Sequence, residues 1–233
     1  MIAENLASVR ARMEAAATRA GRRAEDVTLV AATKEVDAER VAEAIAAGVR
    51  DVGENRVQEL QNKQSALAGS PVRWHMIGTL QRNKVSQVVG RVALIQSVDS
   101  PRLAEAIARR ALADDLEQDV LIEVNAGGES SKHGVDPADA PVFAGRLLEM
   151  EGLRLRGLMT VAPAGDPRVS RAAFRALRDL GDRLRDRAPA ASELSMGMSE
   201  DFEIAIEEGA TIVRIGSAIF GARAEPHDAK ASG

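Results

Sequence analysis

Short apolar runs alternate with amphipathic segments along almost the whole chain. The clearest run is VTLVAAT at residues 27–33, which is rich in β-branched side chains and has no polar face. An almost unbroken apolar run of this length predicts a strand that is buried on both sides, as in a parallel sheet. Because the run ends at Lys34, the sequence predicts a lysine at the carboxyl end of a buried strand.

Seven further strands are predicted at regular intervals, at 51–53, 72–78, 93–98, 120–124, 153–159, 193–195 and 211–215. Apolar positions with helical spacing predict the helices that follow the strands, at 38–47, from 57 onward, around 80–89, and at 101–112, 137–150, 169–187 and 199–208. An additional amphipathic helix over 2–20 precedes the first strand. Its apolar positions recur every three or four residues, at Ile2, Leu6, Val9, Met13 and Ala17.

This regular alternation favours parallel strands joined by crossover helices. Eight such units would close a (β/α)8 TIM barrel, an α/β fold, with the extra N-terminal helix added to it. An open doubly wound sheet is the alternative, but no GxGxxG follows the first strand, which disfavours a dinucleotide-binding fold. No linker divides the chain, so we expect one domain over residues 1–223 and a polar C-terminal tail over 224–233.

Composition and charge exclude several classes of function. The net charge of −4 gives no reason to expect nucleic acid, and the absence of cysteine excludes disulfides, thiolate metal sites and a cysteine nucleophile. Tyrosine is also absent and aromatic residues are only 2% of the chain, which disfavours a stacking platform for bases. No apolar run reaches membrane-spanning length and the N-terminus lacks a signal-peptide core, so we expect a cytoplasmic protein without membrane contact.

Two loops near the end of the chain have the composition of an anion site. Gly216 and Ser217 directly follow the last predicted strand, where backbone N–H groups can approach a phosphate closely. Ser199 adds a hydroxyl after the seventh strand, and barrels often bind phosphate after their seventh and eighth strands. The alternative is that Ser199 is an ordinary helix cap, since Glu200 and Asp201 follow it.

Lys34 and the anion site together suggest a phosphorylated aldehyde that is held covalently. Pyridoxal 5′-phosphate fits this combination, because lysine amines form Schiff bases with it. Arg214 lies on the strand that leads into the phosphate loop and is a candidate for contact with the pyridine ring. A lysine that only pairs with an acid at the barrel mouth is the alternative for Lys34.

Six motifs, in this order, resemble those of the pyridoxal phosphate homeostasis protein family. They are ATK at 32–34, GENRVQE at 53–59, WHMIGTLQRNK at 74–84, RGLM at 156–159, LSMGMS at 194–199 and VRIGSAIFG at 213–221. The resemblance spans residues 27–223. It implies a single-domain barrel of the alanine racemase N-terminal type that binds pyridoxal phosphate, without known enzymatic activity, and helps to balance vitamin B6 vitamers and amino acids.

The resemblance also implies a role for individual residues. Lys34 would be the Schiff-base lysine, and Arg214 would face the pyridine nitrogen. The phosphate would be held by Ser199, Gly216 and Ser217, and the pocket would be lined by Asn55, His75 and Met198. The family often has threonine at the position of Ser217, which keeps a hydroxyl. A second, weaker cofactor site at Lys132 is left open, and no metal site is expected because His75 lacks a partner with ligand spacing.

Two other functions remain as alternatives. The runner-up is a pyridoxal phosphate-dependent amino-acid racemase, which resembles this chain at the lysine, the arginine and the phosphate loop. Such racemases use a tyrosine from an added β-domain, whereas this chain has no tyrosine and ends about ten residues after the predicted barrel. The third possibility is a barrel for an unrelated phosphorylated substrate. For the leading hypothesis we expect a monomer whose partners are the cofactor and apo forms of pyridoxal phosphate enzymes.

Overall fold

The strands form a closed parallel barrel. The computed structural model describes residues 1–128 and 133–221. Within these ranges eight strands pair in chain order, and the last pairs back with the first. They are β1 (Thr28–Ala32), β2 (Asp51–Glu54), β3 (Arg73–Met76), β4 (Leu94–Val98), β5 (Gln118–Glu123), β6 (Leu153–Met159), β7 (Glu193–Ser195) and β8 (Ile212–Ile215). The predicted TIM barrel is therefore confirmed.

Helices surround the barrel and connect its strands. They are α1 (Ile2–Arg19), α2 (Ala38–Ala46), α3 (Val57–Ala66), α4 (Pro101–Ala113), α5 (Ala140–Leu148), α6 (Pro167–Arg187), α7 (Phe202–Glu207) and α8 (Ser217–Phe220), with short 3₁₀ segments at Ala24–Asp26 and Arg82–Gln87. The predicted N-terminal helix is confirmed as α1, whose buried face contacts α2, α7 and α8. None of the helices in the described ranges combines the length and the apolar content that a bilayer crossing requires.

Side chains of alternate strand positions fill two separate apolar regions. The larger one lies between the sheet and the helices, and the smaller one lies inside the barrel. The members of the smaller region are Val30, Leu94, Leu121, Met159 and Ile212. Successive strand residues point to opposite faces, so the next inward positions on β4 and β8 are polar residues, Gln96 and Arg214, which are also buried. The interior of the barrel is therefore part apolar and part hydrogen-bonded.

Three predicted helices are wrong in detail. The one predicted over 137–150 spans Ala140–Leu148. The segment predicted as an α-helix around 80–89 forms the 3₁₀ segment Arg82–Gln87. A 3₁₀-helix has three residues per turn, which places the buried Val85 and Val88 on one face. The helix predicted to begin at Ser199 begins at Phe202, because the carboxylate of Asp201 accepts the backbone N–H of Met198 and holds a turn there. Lys132 and the predicted tail at 224–233 lie outside the described residues.

A buried polar cluster holds the end of β1. The ammonium of Lys63 donates to the carbonyl oxygen of Thr33 at 2.6 Å and to the carboxylate of Glu54 at 2.7 Å. The hydroxyl of Thr33 donates to the same carboxylate oxygen at 2.6 Å, while the other oxygen of Glu54 has no hydrogen-bond partner among the described residues. Burial raises the pKa of the Glu54 carboxyl, and the nearby Lys63 ammonium opposes that rise. Helix α3 is thereby tied to the residue that precedes Lys34.

The residue after Lys34 is also held by α3. The backbone N–H of Glu35 donates to the carboxylate of Glu59 at 2.9 Å. Glu35 has a φ of 62°, a left-handed conformation that costs a residue with a Cβ about 1 kcal/mol or more. The chain therefore makes a sharp turn at Lys34, and side chains of α3 fix the backbone on both sides of it.

We expect Lys63→Met to destabilise the protein by about 3–5 kcal/mol, because it leaves the buried carboxylate of Glu54 without its cation. The free energy of unfolding in urea measures the effect. The matched control is the double variant Glu54→Gln/Lys63→Met, in which no buried charge is left unpaired and much of the stability should return. Equal losses in the single and the double variant would show that the ion pair is not the cause.

Candidate cofactor-binding site

The carboxyl ends of β1, β2 and β8 bring the first predicted site residues together. In the barrel β1 lies between β2 and β8, with Ala32 opposite Gly53 and Ala31 opposite Ile215. Lys34 follows β1 by two residues and its side chain is half-buried. The loop that begins at Asn55 is therefore on one side of Lys34, and the loop that begins at Gly216 is on the other.

The loop after β8 has the backbone and hydroxyl groups of an anion cradle. A Cβ atom on Gly216 would lie 3.0 Å from the carbonyl oxygen of Ala32. The ends of β1 and β8 are therefore so close that any other residue at this position would require a small shift of the backbone. The hydroxyl of Ser199 accepts the backbone N–H of Ala218 at 3.2 Å, which brings the loop after β7 against the first turn of α8. Ser217, the first residue of α8, is exposed. The first N–H groups of a helix have no acceptor within it, so this arrangement suits a phosphate group.

Arg214 is buried in the barrel just below this loop. One guanidinium nitrogen donates to the hydroxyl of Ser195 at 2.6 Å, and the other terminal nitrogen donates to the carbonyl oxygen of Thr160 at 2.8 Å. Burial lowers the pKa of Arg214 to about 10, and the carboxyls of Glu123 and Asp201 oppose that fall. The guanidinium therefore remains charged at neutral pH and is fixed in orientation.

The two acids near Arg214 are themselves poorly solvated. Burial raises the pKa of Glu123, and the neighbouring Asp99 raises it further, whereas His133 and Arg214 lower it. Burial likewise raises the pKa of Asp201, against its hydrogen bond from Met198 and the charge of Arg214. The mouth of the barrel therefore combines one buried cation with carboxyls that are easier to protonate than exposed ones.

His75 is connected with Arg214 indirectly. Its Nε2 lies 2.9 Å from a carboxylate oxygen of Asp51, and its Nδ1 lies 3.1 Å from the side-chain nitrogen of Gln96. The side-chain oxygen of Gln96 then accepts from Ser195, which accepts from Arg214. Both ring nitrogens are thus engaged, and direct lining of the pocket by His75 stays a prediction. Among the described residues no group of three His, Cys, Asp or Glu side chains is arranged to hold a metal ion.

The two remaining predicted residues lie at loop positions beyond β2 and β7. Asn55 is half-buried, and its backbone packs so closely on Gly78 that a Cβ there would be 2.6 Å from the Cα of Asn55. Met198 is 37% exposed, and its backbone N–H is bound by Asp201. Both are therefore placed at the rim of the barrel by backbone contacts.

Sequence reasoning missed several polar residues around Arg214, namely Gln96, Glu123, Thr160 and Ser195. Gln96 and Ser97 interrupt the apolar run ALIQSV of the fourth strand, and an inward-facing polar residue in a barrel strand indicates a hydrogen-bonded interior. That signal was present in the sequence. The sequence did not show which residue is the hydrogen-bond partner of each, because the partners come from other strands.

The chain is similar to known proteins over almost its whole length. The model of the alanine racemase N-terminal domain family matches residues 5–224. A relative from Aquifex aeolicus, named pyridoxal phosphate homeostasis protein, is 46% identical over 94% of this chain and 97% of its own length. The solved structure of PipY from Synechococcus elongatus with PLP bound is 36% identical, with a TM-score of 0.83 over 95% of this chain and all of that one.

A more distant structure, an alanine racemase from Clostridium difficile, is 15% identical with a TM-score of 0.69. The match covers 86% of this chain and 54% of the racemase, so the likeness concerns the barrel fold alone. Taken with the near full-length match to the Aquifex relative, the comparisons assign the family. The chain belongs to the alanine racemase N-terminal domain family and, within it, to the pyridoxal phosphate homeostasis proteins.

Proposed function

We propose that this protein binds pyridoxal 5′-phosphate and helps to keep vitamin B6 vitamers and amino acids in balance. The observation that carries the proposal is the adjacency of Lys34, after β1, to the anion cradle after β8. The names of the curated relatives and the PLP-bound PipY structure support it. The functional unit is the single barrel domain over residues 1–223.

We propose a role for each of the predicted residues. When bound, pyridoxal phosphate supplies an aldehyde that forms a Schiff base with a lysine amine. Lys34 is the residue proposed for that amine, and the backbone on both sides of it is held by side chains of α3. The phosphate is assigned to Ser199, Gly216 and Ser217, and the pyridine nitrogen to Arg214. The walls are assigned to Asn55, His75 and Met198.

We propose binding without catalytic turnover. A protonated pyridine nitrogen makes the ring a better electron sink, and a charged arginine beside it disfavours that protonation. Arg214 is such an arginine, and no tyrosine exists to serve as a second base. His75 is a poor substitute because both of its ring nitrogens are already hydrogen-bonded. The racemase alternative is supported by likeness of fold alone.

The proposal extends to partners and compartment. Apo forms of pyridoxal phosphate enzymes in the cytoplasm need to take up the cofactor, so we place the protein there, as a monomer that can hand the cofactor to them. The half-buried position of Lys34 at the open end of the barrel is compatible with such release.

Incubation with pyridoxal phosphate followed by borohydride should fix the cofactor on the peptide that contains Lys34. Peptide mass spectrometry identifies the labelled residue, and the absorption spectrum before reduction reports the covalent linkage. Lys34→Ala should abolish both signals, while Lys84→Ala should leave them unchanged. A label on another lysine, with the linkage still present in Lys34→Ala, would show that the assignment is wrong.

Loss of the Ser199 hydroxyl in Ser199→Ala should weaken pyridoxal phosphate binding roughly 10-fold or more, because hydrogen bonds to a charged group contribute about 1.5–3 kcal/mol each. Gly216→Val should weaken it further, since its side chain would meet the carbonyl of Ala32 and displace the backbone of the cradle. Ser217→Ala should have a smaller effect, because backbone groups remain. Equilibrium titration by absorbance measures all three.

The control for these variants is pyridoxal, which lacks the phosphate. Its affinity for the wild-type protein should be much lower than that of pyridoxal phosphate, and Ser199→Ala should change it little. Equal affinity of the wild type for both compounds would contradict a phosphate cradle at this position.

The loaded protein should not exchange the α-proton of amino acids. L-alanine and a panel of other amino acids are incubated with it in deuterated water, and deuterium at the α-carbon is followed by NMR. Uptake at ordinary enzyme rates, about 1–10³ per second, that disappears in Lys34→Ala would favour the racemase alternative instead.

A further inference from the structure

A single chain of hydrogen bonds runs through the barrel interior from β2 to β8. Its members in order are Asp51, His75, Gln96, Ser195 and Arg214, with successive distances of 2.9, 3.1, 2.6 and 2.6 Å. All five residues are at most 5% exposed. The residues come from five different strands, so the chain crosses the barrel from the first residue of β2 to the strand that leads into the anion cradle.

The far end of the chain is anchored by an ion pair. The guanidinium of Arg73 binds both oxygens of the Asp51 carboxylate, each at 2.8 Å. Hydrogen bonds from His75 and Arg73 offset the burial of Asp51, and its pKa lies below the usual value. Asp51 is therefore an ionised acceptor at neutral pH.

With the amide nitrogen of Gln96 toward His75, the chemistry of the groups fixes the direction of every hydrogen bond. Arg214 can only donate, so the hydroxyl oxygen of Ser195 accepts and its proton goes to the side-chain oxygen of Gln96. The amide nitrogen of Gln96 can only donate, so Nδ1 of His75 must accept. The proton of His75 is then on Nε2, where it is donated to the carboxylate of Asp51.

The opposite orientation of Gln96 is disfavoured by the same carboxylate. With its oxygen toward His75, Gln96 would require a proton on Nδ1. A neutral imidazole would then present a lone pair to Asp51, and a buried acceptor facing a carboxylate costs free energy. The amide nitrogen of Gln96 would also face Ser195, whose oxygen would receive two donors while its own proton lost its acceptor. Asp51 at one end and Ser195 at the other therefore favour one direction for all of these hydrogen bonds.

We propose that Ser195, Gln96, His75 and Asp51 are positioning residues for Arg214, which hold its guanidinium in one orientation through this directional chain. The proposal rests on the proposed cofactor function, in which Arg214 faces the pyridine nitrogen. A guanidinium in the barrel interior that lost the Ser195 acceptor would turn toward Glu123 or Asp201, the two carboxyls whose charges act on it. The series of hydrogen bonds instead keeps the guanidinium on its two acceptors, the hydroxyl of Ser195 and the carbonyl of Thr160.

The first test uses the cofactor-free wild-type protein. Nitrogen-15 NMR of the imidazole rings at neutral pH, with the His75 signals assigned by their loss in His75→Gln, reports which nitrogen carries the proton. We expect Nε2 to be protonated and Nδ1 to be an acceptor. A proton on Nδ1 would overturn the proposal, whether or not the protein binds pyridoxal phosphate.

The second test interrupts the series of hydrogen bonds at two residues. Ser195→Ala and Gln96→Leu should each weaken pyridoxal phosphate binding by about 10-fold and shift the absorption maximum of the bound cofactor, because the cation near its ring loses its fixed orientation. Ser195→Thr, which keeps the hydroxyl, should have the affinity and the absorption maximum of the wild type. Ser97→Ala is the matched control, since it removes an equally buried hydroxyl on β4 that binds the carbonyl of Gly78 outside the chain.

The outcomes separate this proposal from the proposed function. If the wild-type protein forms no covalent linkage with pyridoxal phosphate, the proposed function fails. The NMR result still tests the direction of the hydrogen bonds. If the wild type does bind the cofactor, but Ser195→Ala and Gln96→Leu keep its affinity and absorption maximum as Ser97→Ala does, the positioning role is wrong. The positioning role is supported if the absorption maximum is shifted in Ser195→Ala but equals the wild-type value in Ser195→Thr. This holds even where a variant is less stable.

Discussion

Closure of the sheet by the pairing of β8 with β1 is the constraint on which the candidate site depends. It brings the first and the last strand side by side, with Ala31 opposite Ile215, and so places Lys34 beside the loop at Gly216. Contacts between residues so far apart in sequence are favourable only once the intervening strands have paired, because closing a long loop costs conformational entropy. The lysine and the loop at Gly216 are therefore neighbours only in the complete barrel.

Two buried polar systems then refine the geometry that closure provides. On the outer side of the strands, Lys63 and Glu54 fix the backbone before Lys34. In the interior, Ser195 fixes the guanidinium of Arg214. Buried polar groups of this kind cost free energy unless each one is paired, so they tolerate few alternative arrangements. The site therefore gains a defined geometry from groups that do not belong to it.

The order of the elements and the kind of site were largely determined by the sequence. The apolar run before Lys34 and the alternation that follows it predict a parallel barrel, because strands buried on both faces need helices on their outer side. The carboxyl ends of such strands meet at one rim. The sequence therefore predicted that Lys34 and Gly216 lie near each other at that rim, and the motifs around them indicated the family.

The tertiary structure alone decided which polar side chains are partners. Asp51, Gln96 and Ser195 are unremarkable in the sequence, and the pattern of each strand shows only that a polar residue faces inward. Which residues meet depends on the stagger between strands, which comes from the closed barrel as a whole. For the same reason the sequence could not show that the hydroxyl of Ser199, which was predicted to hold the phosphate, accepts the backbone N–H of Ala218 in another element. Local signals determine strands and helices, but pairing across the barrel is set by the packing of all eight strands together.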